Sequence, residues 1–66
     1  MKINVKKLEI LLARECINNK ELRERAKIGY ATLVHIKQGK NILPITVGKI
    51  ARALNVDVTD LLQTEN

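Results

Sequence analysis

Val47, Ile50, Ala51 and Leu54 recur at the i, i+3, i+4, i+7 spacing that lines up apolar side chains along one side of an α-helix. Pro44 suits the first turn of that helix, where its missing N–H is no loss, and Asn55 can take the left-handed conformation that ends it. A stripe of this kind needs other apolar surface to bury against, and the rest of the chain offers it in similar form. Val5, Leu8, Leu11 and Leu12 fall at helical spacing, with Lys6, Lys7 and Glu9 outside. Asn18 or Asn19 can cap a second, short helix at about 19–26 that buries Leu22 and Ala26, with Glu21 as the capping-box partner of Asn18. After a turn at Lys27-Ile28-Gly29, a third helix is expected over about 30–38, burying Leu33 and Ile36 with help from Ile28. Gly39 is its natural stop. Asp57 caps a fifth, short helix, with Asp60 at its third position and Leu61 and Leu62 turned inward. The expectation is an all-α fold of five short helices in a single domain spanning residues 1–66, with no internal repeat and no linker.

Composition narrows this further. Phe and Trp are absent and Tyr30 is the only aromatic residue, so the core must be built from Leu, Ile, Val and Ala, which suits packed helices better than a sandwich or barrel. A domain of 66 residues buries only about 60% of the surface of its unfolded chain, so modest stability is expected. The single cysteine, Cys16, cannot form an internal disulfide; it is read as a small core residue between the first two helices rather than a redox sensor. The longest apolar run, Ile10-Leu11-Leu12-Ala13, falls far short of a signal segment or a membrane span. A cytoplasmic protein without a membrane role is expected.

Charge is unevenly spread. Residues 1–24 hold six Lys or Arg against four acids, and the last ten hold Asp57, Asp60 and Glu65 with no base. Between them, residues 25–56 hold Arg25, Lys27, Lys37, Lys40, Lys49 and Arg52 and no acid at all. Such a segment repels itself and makes physical sense chiefly against a polyanion, although a solvated basic surface is the plain alternative. Catalysis finds no footing: no acid pair, no nucleophile beside a base and no glycine-rich phosphate loop are recognisable. One His and one Cys are too few to hold a metal, and no cofactor or small-molecule ligand is implied.

The stretch from Asn18 to Gly39 reads as a helix, a tight turn and a second helix closed by glycine. Once Leu22, Ala26, Ile28, Leu33 and Ile36 face inward, Tyr30, Ala31, Val34, His35 and Lys37 must face out. A helix held clear of the body in this way can enter the major groove of DNA.

On these residues, and on the Gly39-Lys40-Asn41 step and Lys-Ile-Ala-Arg-Ala-Leu-Asn-Val at 49–56, the sequence resembles the Cro/C1-type (Xre) helix-turn-helix family from Leu8 to Leu62. The resemblance implies a compact five-helix lambda-repressor-like domain that binds double-stranded operator DNA, commonly as a homodimer on a palindrome. It implies further that Gly29, Tyr30, Ala31, Thr32, Val34 and His35 face bases or flanking phosphates. Asn18, Asn19 and Lys20 would meet phosphate at the start of the second helix, and Lys37, Gln38, Lys40 and Asn41 would form a second phosphate clamp. Helix N-termini favour anions and lysine supplies charge without sequence preference, which fits those roles.

Several positions depart from the family pattern. Lys27 stands where glycine is usual, so a positive φ there would cost of order 1 kcal/mol. Arg23 stands where a small alanine is usual and must lay its stem along the helix contact with its head in solvent. Asn19 replaces the usual Gln, and Gly29 the usual Ser cap. Tyr30, Ala31 and Val34 offer few hydrogen bonds, which shifts readout toward thymine methyls and DNA shape. His35 is a candidate base reader, with a phosphate contact, a pH-sensitive group or a solvated residue as alternatives. Gly48, inside a helix, points to close helix approach, a dimer contact or plain tolerance. Homodimer contacts are expected among Val56, Val58, Leu61 and Leu62 where the core does not already use them. The competing function is an antitoxin-like or accessory module whose main partner is another protein.

Overall fold

The computed structural model describes residues 1–62; residues 63–66, to which the domain expectation extended, lie outside the described residues. The described chain is all-α: α1 Val5–Glu15, α2 Asn19–Ala26, α3 Tyr30–Lys37 and α4 Pro44–Ala53, followed by one 3-10 turn at Val58–Asp60. The helices start where local chemistry starts them. Asn4 Oδ1 accepts from the Lys7 N–H at 3.0 Å, and Asn18 Oδ1 accepts from the Glu21 N–H at 2.8 Å. Asn18 is therefore the cap of α2, and Asn19 its first residue. The Glu21 carboxylate, expected to complete a capping box, instead accepts from Arg25 Nη2 at 2.7 Å one turn along the helix.

All four α-helices end in the same way. Cys16, Lys27, Gly39 and Asn55 take left-handed conformations, with φ of 56°, 56°, 76° and 57°. The residue after each then sends its N–H back to the final turn: Ile17 to Leu12 O, Ile28 to Arg23 O, Lys40 to His35 O and Val56 to Ala51 O, at 3.0–3.1 Å. Ile17, Ile28 and Val56 pack against the core, so each of those turns folds the chain back onto the body. That packing offsets the roughly 1 kcal/mol that the left-handed conformation costs a residue with a Cβ. It also corrects the expectation for Cys16. The cysteine occupies the turn and is exposed, while its neighbour Ile17 supplies the inward side chain.

The core is wholly aliphatic. Leu8, Leu22, Ile36, Val47, Ile50, Leu54 and Leu61 are almost inaccessible to water, and α2 packs on α4. No polar or charged residue is buried among the described residues.

The expected fifth helix is a single turn. Asp57 and Asp60 form the capping box at its start, Leu61 is buried, and Leu62 then pairs through its backbone with Ile3 in an antiparallel bridge. A residue held in an extended bridge cannot continue a helix, which is why the element stops. The bridge is part of a tie that sequence periodicity does not reveal. Asn4 N–H donates to Leu61 O at 2.8 Å, Ile42 N–H donates to Met1 O at 2.6 Å, and the Met1 amino group donates to Ile42 O at 2.9 Å. Ile3, 2% exposed, is carried by this tie into the core. The expected dimer residues are drawn the same way: Leu61 is buried, and Val56, Val58 and Leu62 are half-buried against the core. No helix of the described residues is long and apolar enough to cross a membrane.

Candidate nucleic-acid interface

α3 is held to the body by Leu33 and Ile36, 4% and 1% exposed. Its remaining residues are displayed. Tyr30 is 69% exposed, and Ala31, His35, Lys37 and Gln38 are exposed with it. Thr32 and Val34, on either side of the buried Leu33 in the chain, are half-buried at the edges of this surface. Gly29 precedes the helix with no side chain to cap it, so the amides at the start of α3 have no side-chain partner and present their positive end outward.

Two shallow crevices flank α3. On the α2 side, Asn19, Arg23, Tyr30, Leu33, Val34 and Lys37 line a space of about 190 Å³. On the other side, Thr32, His35, Asn41, Ile42, Leu43 and Thr46 line one of about 170 Å³. The sequence-predicted residues thus gather in two groups, with Tyr30, Val34, Asn19 and Lys37 in one and Thr32, His35 and Asn41 in the other. Ala31, Gln38 and Lys40 are exposed outside both crevices, as are Asn18 and Lys20 at the start of α2. The Asn18 carbonyl oxygen is already engaged as a cap, which leaves its amide N–H groups as the donors available to an anion.

Arg23 differs from expectation. Its head does not stand free in solvent: the guanidinium lies over the Tyr30 ring, 5.4 Å from the centroid, and its Nε is buried without a hydrogen-bond partner. The left-handed turn at Lys27 lies between the two residues, where the chain passes from α2 into α3. Arg23 is therefore a site residue that sequence reasoning placed only as packing. Its seven-residue separation from Tyr30 crosses the turn and carries no helical signal.

The basic segment is also divided in space. Lys37 and Lys40 sit at the end of α3 and just after it, whereas Arg25, Lys27, Lys49 and Arg52 line a groove between α2 and α4. Among the described residues, no group of three or more His, Cys, Asp or Glu gathers that could hold a metal.

The sequence model of one family, the Cro/C1-type HTH DNA-binding domain, matches residues 7–66. The chain belongs to this family. No curated protein and no solved structure matches it. As a Cro/C1-type domain the chain is a DNA-binding helix-turn-helix protein, and α2, the turn at Lys27–Gly29 and α3 are its helix-turn-helix. The Cro/C1-type motif here departs from glycine at the turn, yet Lys27 adopts the left-handed geometry that glycine would take more cheaply.

Proposed function

We propose that this chain is a sequence-specific transcriptional regulator, a repressor, that inserts α3 into the major groove of double-stranded DNA. The observation that carries the reading is the display of α3, with Tyr30, Ala31 and His35 exposed on a helix whose other side is locked down by Leu33 and Ile36. In this reading Gly29, Tyr30, Ala31, Thr32, Val34 and His35 face base edges. Asn18, Asn19 and Lys20 on one flank, and Lys37, Gln38, Lys40 and Asn41 on the other, hold phosphates. The protein acts as one unit across residues 1–66, in the cytoplasm where its DNA lies, and as a binder rather than a catalyst. Occupancy of the operator is itself the repressing event.

One recognition helix reads only a few base pairs, so useful selectivity calls for a homodimer on half-sites about one helical turn, roughly 34 Å, apart. With Leu61 withdrawn into the core, the apolar surface left for a second copy includes Leu43, 69% exposed. Leu43, together with Ile45 at 68% exposed, favours a second reading, an antitoxin-like or accessory module bound mainly to another protein.

Selection of bound sequences from random duplex DNA tests the proposal. An enriched inverted repeat is expected, with two copies of the chain sedimenting on each site. Enrichment of no sequence, together with one copy per duplex, overturns it in favour of the accessory module.

A further inference from the structure

We propose that the groove between α2 and α4 is a second binding site, for an acidic, aliphatic peptide segment of a partner protein. Arg25, Ala26, Lys27, Lys49, Arg52 and Ala53 line about 410 Å³ of open space there. Four cations thus surround the half-buried Ala53, with Ala26 reaching the groove only at its edge (4% exposed), in a stretch of sequence without a single acid. Arg25 is paired with Glu21, while Lys27, Lys49 and Arg52 have no ion pair among the described residues. Like charges around a concave, partly apolar surface concentrate positive potential and attract an anionic partner.

The groove lies away from the surface proposed for DNA. Arg23 and Arg25 are two residues apart on α2, hence roughly 200° apart around it. Arg23 lines the crevice against α3, so Arg25 opens on the opposite side of the helix. No residue of α3 lines the groove. A duplex seated on α3 accounts for Lys37 and Lys40 and leaves Lys27, Lys49 and Arg52 to a different ligand.

The rest of the surface selects the ligand's chemistry. Lys49 and Arg52 also border an adjoining hollow of about 390 Å³ formed with Ile45 and Gly48. Ile45 is 68% exposed, and a Cβ built on Gly48 meets nothing within 4 Å. Glycine weakens a helix interior, and no crowding among the described residues requires it here. It leaves a notch beside an exposed isoleucine. A sugar-phosphate backbone would engage the cations and gain nothing from Ala53 or Ile45. A peptide carrying both carboxylates and aliphatic side chains meets both, with charge-assisted hydrogen bonds at the rim and apolar contact on the floor.

The test uses the full chain and a fluorescently labelled synthetic peptide of alternating glutamate and leucine. The peptide is titrated against free protein and against protein saturated with its selected duplex. Equal affinity in the two titrations is expected, because the sites are separate. In the Lys49→Gln, Arg52→Gln double variant, peptide affinity should fall about tenfold while duplex affinity stays within about twofold at physiological salt. Three results overturn the proposal: no peptide binding to free protein, displacement of the peptide by the duplex, or binding of a second duplex in its place. Peptide titration of the free parent and of the free double variant reads the groove without DNA, so that comparison does not depend on α3 recognising DNA.

Discussion

The guanidinium of Arg23 lies over the ring of Tyr30 at 5.4 Å and joins the middle of α2 to the first residue of α3. The contact spans the corner of the helix-turn-helix at the end of α3 that is proposed to enter DNA. Arg23→Ala is expected to lower stability by about 1 kcal/mol, from the lost cation–π contact and the lost packing of the stem. Arg23→Met keeps the stem and removes the unpartnered Nε, so its stability should stay within about 0.5 kcal/mol of the parent. Tyr30 is the only aromatic residue, so its fluorescence reports on the contact directly. Both variants should change its emission, and unchanged emission in both would show that the stack is not populated.

His35 and Lys40 separate two kinds of DNA contact. His35, exposed on α3, lines a crevice beside that helix, and its replacement by alanine should cost about 1–3 kcal/mol on the preferred site and relax specificity there. Lys40 follows α3 in the loop, and Lys40→Ala should weaken all sequences alike and lower the salt slope by about one unit. Affinities for selected and scrambled duplexes at several salt concentrations check both.

Lys27 holds a left-handed conformation at φ 56° while exposed. Lys27→Gly relieves that conformation at a position where no side-chain packing is lost. A gain of about 1 kcal/mol is expected, reduced in part by the greater freedom of glycine in the unfolded chain. Thermal unfolding measures it, and a lowered midpoint would show that the lysine side chain contributes more than its backbone costs.

Ile3 should matter far more than its place near the start of the chain suggests. It is 2% exposed and sits where backbone bonds join Asn4 to Leu61 and Met1 to Ile42. Ile3→Ala is expected to cost about 2–4 kcal/mol, a large share of the stability of so small a domain. Urea titration followed by circular dichroism is the measurement, and a loss below about 1 kcal/mol would mean that the tie frays in solution.

Asp57 gives the fold an acid-sensitive corner. Its carboxylate accepts from the Thr59 hydroxyl and from the Thr59 N–H, and these bonds hold its pKa below the ordinary 3.8. The folded state therefore favours the charged form. The stabilisation is present above that ordinary value and is lost as pH falls through the lower folded value. Melting midpoints of the parent and Asp57→Asn between about pH 5 and pH 2 should converge as acid is added. A constant difference across that range would mean that the charge contributes nothing.

Much of the architecture is legible from residue order. Asn18 caps α2, Pro44 begins α4, Gly39 and Asn55 close α3 and α4, and the apolar stripes at Leu22–Ala26, Leu33–Ile36 and Val47–Leu54 are buried as their spacing predicts. The display of Tyr30, Ala31 and His35 follows from the same period. Composition misplaces Cys16 because cysteine ranks among buried residues, whereas the left-handed turn at the end of α1 decides which neighbour points inward. Periodicity overextends the fifth helix because Leu61 and Leu62 carry helical spacing and no local sign of a bridge partner 59 residues away.

What the sequence determined by itself is therefore the set of helices, their caps and their buried sides, because helix hydrogen bonds, capping bonds and the 3.6-residue period all act within one or two turns. The tertiary structure alone decided the pairing of Ile3 with Leu62, the stacking of Arg23 on Tyr30, and the division of the basic segment between the end of α3 and the groove of α2 with α4. Each of these depends on how one helix is oriented against another. That orientation is set by the packing of the whole aliphatic core, in which Leu8, Leu22, Ile36, Ile50 and Leu61 exclude water together and no short stretch of sequence acts alone.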